Sequence, residues 1–435
     1  MSIKERKTYN ARRITSKSLV ATGYGVRGTR YVYLDHAAAT PLDPRVAKAM
    51  SPYLDKVYAN PSSLHSAGQA ANKAVMLARK SIAALINGHT DEIVFTSGGT
   101  ESDNLAIIGT LSALVPSLGV REGKGELPHV VTTAIEHHAV LEPLLHLHKI
   151  GAIELTVVAP QKDGVVRTED VMMAVNEKTV LVSVMYANNE VGTIQPVGDI
   201  GRAILKWRKE NNSAYPYLHS DACQAAGYLD LNVEKLHVDL LTLNSGKIYG
   251  PKGTGLLFVR RGTKLAPVMR GGGQERGLRS GTENVPGIVG LAKALELAQS
   301  IREKESKRLT LLRDRLVDGL LRIPKSRLNG HAEKRLPNNV NISFLDIEGE
   351  AAMLYLDAKG IACSTGSACA STSLDPSHVI LALGMSYEAA HGSLRFSLGH
   401  ATTKADIDRV IKVMPSIIEM LRRISPITLD MTHFN

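Results

Sequence analysis

The stretch Phe95-Thr96-Ser97-Gly98-Gly99-Thr100-Glu101 stands where an apolar run gives way to a helical pattern, and its reading decides the fold. Residues 92–97 are a strand candidate, and 102–114 carry apolar residues at helical spacing. The same alternation runs on to Arg260. Strand candidates recur at 129–134, 152–159, 179–185, 215–220, 238–243 and 254–260, all rich in Val, Ile, Leu and Thr. Several are almost wholly apolar, which suits strands covered on both faces. Helical patterns at 137–149, 169–175 and 197–209 separate most of them. Alternation on this scale predicts an α/β fold, a mainly parallel sheet with helices on both faces. Ligands of such sheets bind beyond the carboxyl ends of the strands, where the quoted turn falls. Its glycines let backbone N–H groups approach an anion, and the start of a helix favours negative charge. Taken alone, the turn is equally a tight strand–helix connection. It is not a Walker loop; Gly250-Pro251-Lys252-Gly253-Thr254-Gly255 also lacks that spacing and the Gly-Lys-Ser/Thr end.

Past this region, a helical pattern extends from Pro286 to about Leu321, followed by short strands at 339–344 and 393–397 and a last helix near 403–424. A chain of 435 residues is long enough for two domains. The expected division is a large domain over 46–295 and a smaller one formed by 31–45 with 296–435, preceded by a basic extension over 1–30. The extension sets Lys4, Arg6, Lys7, Arg12, Arg13, Lys17, Arg27 and Arg30 against Glu5 alone and supplies much of the net charge of +10. It reads first as a disordered arm and second as a mitochondrial transit peptide. A nucleic-acid-binding arm comes third, since no aromatic platform or binding motif accompanies it. No apolar run approaches the roughly 20 residues of a membrane span. Cys223, Cys363 and Cys369 are too few and odd in number for a disulfide framework. The expected compartment is therefore reducing: the cytoplasm, or the mitochondrion if the arm is a transit peptide. The histidines show no metal-ligand pattern, since His146 and His148 on one helix point to different faces, and no metal is expected.

Two further strand ends carry chemistry. Tyr217-Leu218-His219-Ser220 runs into Asp221, and residues 240–243 run into Asn244-Ser245-Gly246-Lys247. One crossover apart, an acid and a lysine both project into the crevice at the strand ends. Pyridoxal 5′-phosphate (PLP) chemistry needs that pair: an amine to condense with the cofactor's aldehyde, and a carboxylate to keep the pyridine nitrogen protonated. A single Asp or Lys is ordinarily a surface charge; the ordered set of anion turn, Asp and Lys is not. His137 opens a helix after the 129–134 strand. Cys369 lies in Ser364-Thr365-Gly366-Ser367-Ala368-Cys369-Ala370, whose polar neighbours describe an exposed loop rather than a packed cysteine. A reactive thiol is favoured there, whereas Cys223 and Cys363 read as small buried fillers.

With these residues laid out, the sequence resembles the cysteine desulfurases of the NifS/IscS type, in the class-V branch of PLP-dependent aminotransferases. The resemblance runs from about Tyr31 almost to the C-terminus. It rests on residues 33–41 (YLDHAAATP), 60–63 (NPSS), 95–104 (FTSGGTESDN), Glu136-His137, 188–192 (NNEVG), 247–253 (KIYGPKG), 271–282 (GGGQERGLRSGT), 364–371 (STGSACAS) and 395–399 (RFSLG). It implies a PLP-dependent transferase type I fold, with a mainly parallel seven-stranded sheet and a smaller α+β C-terminal domain. The implied reaction converts L-cysteine to L-alanine and leaves the sulfur on Cys369 as a persulfide.

By position, Lys247 resembles the lysine that carries the cofactor and moves the α-proton. Asp221 resembles the partner of the pyridine nitrogen, with Gln224 and Asn189 near the phenolic oxygen. His137 matches the histidine that stacks on the ring and shuttles protons. Gly99, Thr100 and Ser245 fall at the phosphate. Thr282 matches a ligand supplied by the neighbouring subunit, which implies a homodimer. Arg395, assisted by Asn341, matches the substrate-carboxylate site, a bidentate task that suits a planar guanidinium. Cys369 matches the nucleophile, active as a thiolate.

Two departures stand out. The family has Ser and His just before its lysine, both on the phosphate; here Asn244-Ser245-Gly246 lacks the imidazole and places a hydroxyl, Ser245, one position later. The chain also ends soon after Ser425-Pro426, without the longer tail some relatives use to dock an iron–sulfur scaffold protein. The sulfur acceptor, an iron–sulfur scaffold or a tRNA-thiolation relay protein, is thus left open. One rival is a selenocysteine lyase or other PLP-dependent β-lyase, against which a dedicated cysteine counts. The other is a non-catalytic PLP-binding or scaffolding protein, against which the presence of Lys247, His137, Cys369 and Arg395 counts.

Overall fold

The computed structural model describes residues 31–114, 127–366, 375–426 and 428–434. The basic arm over 1–30 and Cys369 lie outside the described residues. After a short strand β1 (Val32–Tyr33) comes the central sheet, built from β2 (Ile93–Thr96), β3 (His129–Thr133), β4 (Glu154–Val158), β5 (Thr179–Ser183), β6 (Tyr217–Asp221), β7 (Leu240–Asn244) and β8 (Gly255–Val259). Their order is β2-β8-β7-β6-β5-β3-β4. Neighbours from β4 to β7 are parallel, and β8 runs antiparallel between β7 and β2. Every residue of β2, β3, β6 and β8 is buried, which is why β2 and β8 are almost wholly apolar rather than alternating, whereas β3 and β6 also bury polar residues such as His129 and His219.

Each strand overlaps its predicted range. β6 starts at Tyr217 because Pro216 has no N–H to give to a ladder. The helix predicted from Ser102 begins at Gly99 and runs to Leu114. Glycine is a poor helix former, so the sequence pattern hides a start that packing imposes. The turn before it lies against β8, where a Cβ on Gly255 would come within 2.7 Å of the Gly98 backbone. Only glycine permits that approach.

The helix Val285–Leu320 is capped by Asn284, whose side chain accepts from Gly287 N at 3.1 Å. Its first half buries Ile288, Leu291 and Leu295 in the core of the large sheet. Its second half places Leu309, Leu316 and Leu320 in a separate apolar cluster with Val32, Leu34, Phe344, Phe396 and Met414. Around that second cluster lie β9 (Ser326–Leu328), β10 (Asn339–Phe344), β11 (Ile361–Ala362) and β12 (Ser393–Ser397). β10 pairs antiparallel with both β9 and β12, and β1 pairs in parallel with β11. The β10–β12 register sets Arg395 opposite Asn341. The helix Lys404–Ile424 is started by a capping box between Thr403 and Asp406. No described helix is long and apolar enough to cross a membrane.

Candidate active site

β6 ends on Asp221 and β7 on Asn244, and the turn Ser245–Lys247 follows β7 directly. Acid and lysine thus leave the carboxyl ends of adjacent parallel strands. A cleft of about 190 Å³ gathers both of them with Gly99, Thr100, His137 and Arg395, and Asn189 and Gln224 also line it. A larger cavity of about 480 Å³ opens elsewhere, among Asp346, Glu348, Tyr387, His391 and Leu421, and takes in none of the predicted site residues.

Lys247 Nζ donates to the carbonyls of Ala37 and Ala38 at 2.8 and 2.7 Å, and Gln224 Nε2 donates to Ala37 O at 2.9 Å. The segment after β1 therefore closes over the lysine. Asp221 is held from below, its Oδ1 accepting from Cys223 N at 2.8 Å. His137 caps the helix His138–Lys149, with Nδ1 accepting from Ala139 N at 3.1 Å. A neutral ring in that setting carries its proton on Nε2. Arg395 is 2% exposed; its Nη1 donates to Asn189 O at 3.1 Å and its Nη2 to Asp35 Oδ1 at 3.0 Å. Its Nε is buried without a hydrogen-bond partner among the described residues. Its backbone exchanges two hydrogen bonds with Ser364, at the start of the segment that leads to Cys369.

Two predicted ligands, Ser245 and Asn341, sit otherwise than expected. Ser245 does not line the cleft: it is fully buried, and its Oγ lies 2.0 Å from where a Cβ on Gly250 would stand. The tight turn rotates it inward and leaves Asn244 on the cleft wall. Asn341 faces Arg395 across the ladder but is committed elsewhere. Its Nδ2 donates to Glu190 O at 3.1 Å, and its Oδ1 accepts from Asn329 at 2.8 Å. It braces the 189–190 segment beneath Arg395 instead of reaching the cleft. Thr282 is exposed and off the cleft of its own chain, the position from which the resemblance sends it to a second subunit.

Sequence reasoning missed Asp103. It lies one helical turn after Gly99, on the same face, and lines the cleft at 1% exposure. Burial, then the charge of Asp221, pushes its carboxyl well above the usual range; a hydrogen bond with Thr242 and the electrostatic influence of His137 oppose the rise. Nearby His219 is fully buried and ties the strands together, Nδ1 to Ser183 Oγ at 2.8 Å and Nε2 to Thr242 Oγ1 at 3.1 Å. Burial lowers its pKa to about 4, so it is neutral and no cation for Asp103. In the unfolded chain Asp103 ionises above about pH 4, whereas the fold resists that ionisation, so wild-type stability is lost as pH rises through this range. Asparagine does not titrate. Asp103→Asn is expected to gain stability relative to wild type from about pH 4 to pH 7, read as thermal midpoints of the cofactor-free protein. A constant difference across that range would show Asp103 to be ionised in the fold.

PLP needs an amine for its aldehyde, an anion for its ring nitrogen and donors for its phosphate. Lys247, Asp221 and the helix start at Gly99 and Thr100 offer these within one cleft. At Gly99 a Cβ would stand 2.9 Å from Cys223 Sγ, so glycine alone leaves that floor clear. The donor set fits the cofactor.

Fold and donor set together define an α/β enzyme that works with a cofactor at its strand ends. The chain belongs to the class-V aminotransferases: the family model Aminotransferase class-V matches residues 32–410, and enzymes of this family depend in general on PLP. It is 48% identical over 397 residues to "Cysteine desulfurase IscS" of Methanosarcina thermophila, covering 91% of this chain and 94% of that protein. Among solved structures it is similar to a "NifS-like protein", with a TM-score of 0.81 and 36% identity over 90% of this chain and 100% of the other. It also resembles "SspA in complex with cysteine", with a TM-score of 0.70 and 33% identity over 84% of this chain and 98% of the other.

Proposed function

We propose that this chain is a PLP-dependent cysteine desulfurase that turns L-cysteine into L-alanine and leaves the sulfur on Cys369. One observation carries the reading: Lys247 and Asp221, on adjacent strand ends, share a cleft with the buried Arg395. The relatives named cysteine desulfurase supply the reaction. When bound, PLP withdraws electrons from the substrate's α-carbon; the chain's own residues do the rest. Arg395 takes the substrate carboxylate on N–H groups that otherwise rest on Asn189 and Asp35. Lys247, as the free amine, moves the α-proton, and His137 offers an Nε2 proton over the cleft. Cys369 Sγ bonds to the substrate sulfur as the carbon–sulfur bond breaks; the bonding pair stays with carbon, which takes a proton. The sum is L-cysteine plus a Cys369 thiol giving L-alanine plus a Cys369 persulfide.

The other cysteines suit this role poorly. Cys223 and Cys363 are buried, and burial pushes both thiols up, with Asp221 adding to the rise at Cys223 and Asp35 at Cys363. Only a thiolate is a good nucleophile. Cys369→Ser is expected to keep the cofactor absorption of the wild type and to lose alanine formation by at least about a hundredfold. Turnover undiminished in that variant would sink the assignment of the nucleophile.

The wider arrangement follows the same reading. Residues 46–295 form the cofactor-binding domain, and 31–45 with 296–435 form the small domain that bears the cysteine loop. The enzyme works as a homodimer, with the exposed Thr282 completing a partner's phosphate site. The persulfide passes to an acceptor protein, an iron–sulfur scaffold or a tRNA-thiolation relay. A reducing compartment, the cytoplasm, suits a chain whose cysteines must stay reduced.

A further inference from the structure

Cys369 lies in the chain between Gly366 and Ser377, and both flanks are fastened to residues that line the cleft or stand next to one that does. Upstream, Ser364 exchanges backbone hydrogen bonds with Arg395 at 3.1 and 2.7 Å. Downstream, Ser377 Oγ donates to Glu190 Oε2, and Glu190 follows Asn189 on the cleft wall. His378 Nε2 then donates to Glu136 O at 3.0 Å, and its ring lies 4.6 Å from that of His138. Glu136 and His138 flank His137.

The two flanks also meet each other. A Cβ on Gly366 would stand 2.8 Å from Ser377 Cβ and 2.9 Å from Glu190 Oε2. Gly366 does not adopt a positive φ, so close approach rather than backbone conformation calls for glycine there. Glu190 is 1% exposed. Its N donates to Asn188 Oδ1 at 2.8 Å, and its O accepts from Nδ2 of Asn339 and of Asn341, both at 3.1 Å. The carboxylate thus stands on a braced backbone, and Gly366 and Ser377 close against it.

We propose that Glu190 is a positioning residue for sulfur transfer: through Ser377 and against Gly366, its carboxylate joins the two ends of the Cys369 segment and sets where the thiol meets the substrate. The inference rests on the reading of Cys369 as the nucleophile. Glu190 does not line the cleft, so its effect falls on the sulfur step and not on removal of the α-proton, which needs Lys247 but no thiol.

Glu190→Met tests this. It removes the acceptor, fills the same space, and leaves Ser377 Oγ capping Val379 N. In a single turnover with L-cysteine, persulfide formation on Cys369 should fall at least about tenfold, the effect of losing one directed hydrogen bond. Glu190→Gln keeps a carbonyl for the Ser377 hydroxyl and should stay within about threefold of the wild type. Exchange of the α-hydrogen of L-alanine with deuterated solvent involves no sulfur; it should run equally in all three proteins, as should the cofactor absorption. Gly366→Ala wedges the same contact from the other side and should reproduce the loss, which keeps the test decisive if Glu190→Met does not fold. Persulfide formation undiminished in Glu190→Met or Gly366→Ala, or a parallel fall in α-hydrogen exchange, would overturn the assignment. So would a Glu190→Gln variant as slow as Glu190→Met. A wild-type protein that exchanges the α-hydrogen yet forms no persulfide on Cys369 would overturn the reading of the nucleophile itself, a failure distinct from that of Glu190.

Discussion

Lys247→Ala is expected to lower alanine formation by roughly four orders of magnitude or more, because on the proposed function it removes both the amine that holds the cofactor and the base that moves the α-proton. The fold should tolerate the change. Lys247 is only partly buried, and of the two carbonyls to which its amine donates, Ala37 O also accepts from Gln224 Nε2. Circular dichroism should match the wild type while the cofactor washes out on dialysis. Lys247→Arg should fail nearly as badly, since a guanidinium does not give up its proton near neutral pH. Alanine formed at more than about a hundredth of the wild-type rate by either variant would mean that another base does the work.

Arg79→Met is expected to cost about 3–5 kcal/mol of stability by leaving a buried carboxylate unpaired. Arg79 and Glu275 meet at 2.6 Å with side chains 7% and 2% exposed. Arg79 also donates to Ile93 O and lies 4.6 Å above the Phe95 ring, while Glu275 Oε2 accepts from Phe95 N at 3.0 Å. The pair thus fastens β2, the strand that delivers the Gly98–Gly99 turn, to the 271–282 segment. Glu275 and Arg276 both adopt positive φ, 46° and 58°, so the segment is held in a conformation that such residues rarely take unaided. Urea unfolding measures the cost, and the double variant with Glu275→Gln should recover part of it, because no charge then remains buried. A loss below about 1 kcal/mol for the single variant would place the pair among ordinary surface bridges.

Much of this architecture is written locally in the chain. β5, β7 and β8 are short, largely apolar runs between turns, as strands covered on both faces should be. Lys247 and Asp221 were legible because each stands at the carboxyl end of a strand candidate, one crossover apart. What was not legible depends on orientation or on distance along the chain. Asp103 lies at helical spacing from Gly99, yet spacing alone does not say which face of the helix meets the cleft. Asn244 and Ser245 are adjacent polar residues, and only the path of the turn decides which of them points outward. Asn341 is paired with Arg395 by a register set 54 residues along the chain, and its amide then goes to Glu190. The Arg79–Glu275 pair joins residues 196 apart; nothing in either neighbourhood marks a partner.

On the proposed function, substrate sulfur moves to Cys369. The most direct test of this is a single turnover with L-cysteine, followed by alkylation, proteolysis and mass mapping of all three cysteines. Alanine is expected in equal amount to a persulfide found on the Cys369 peptide, with Cys223 and Cys363 carrying no added sulfur. Alanine formed with the extra sulfur on Cys223, or with none on Cys369, would contradict it.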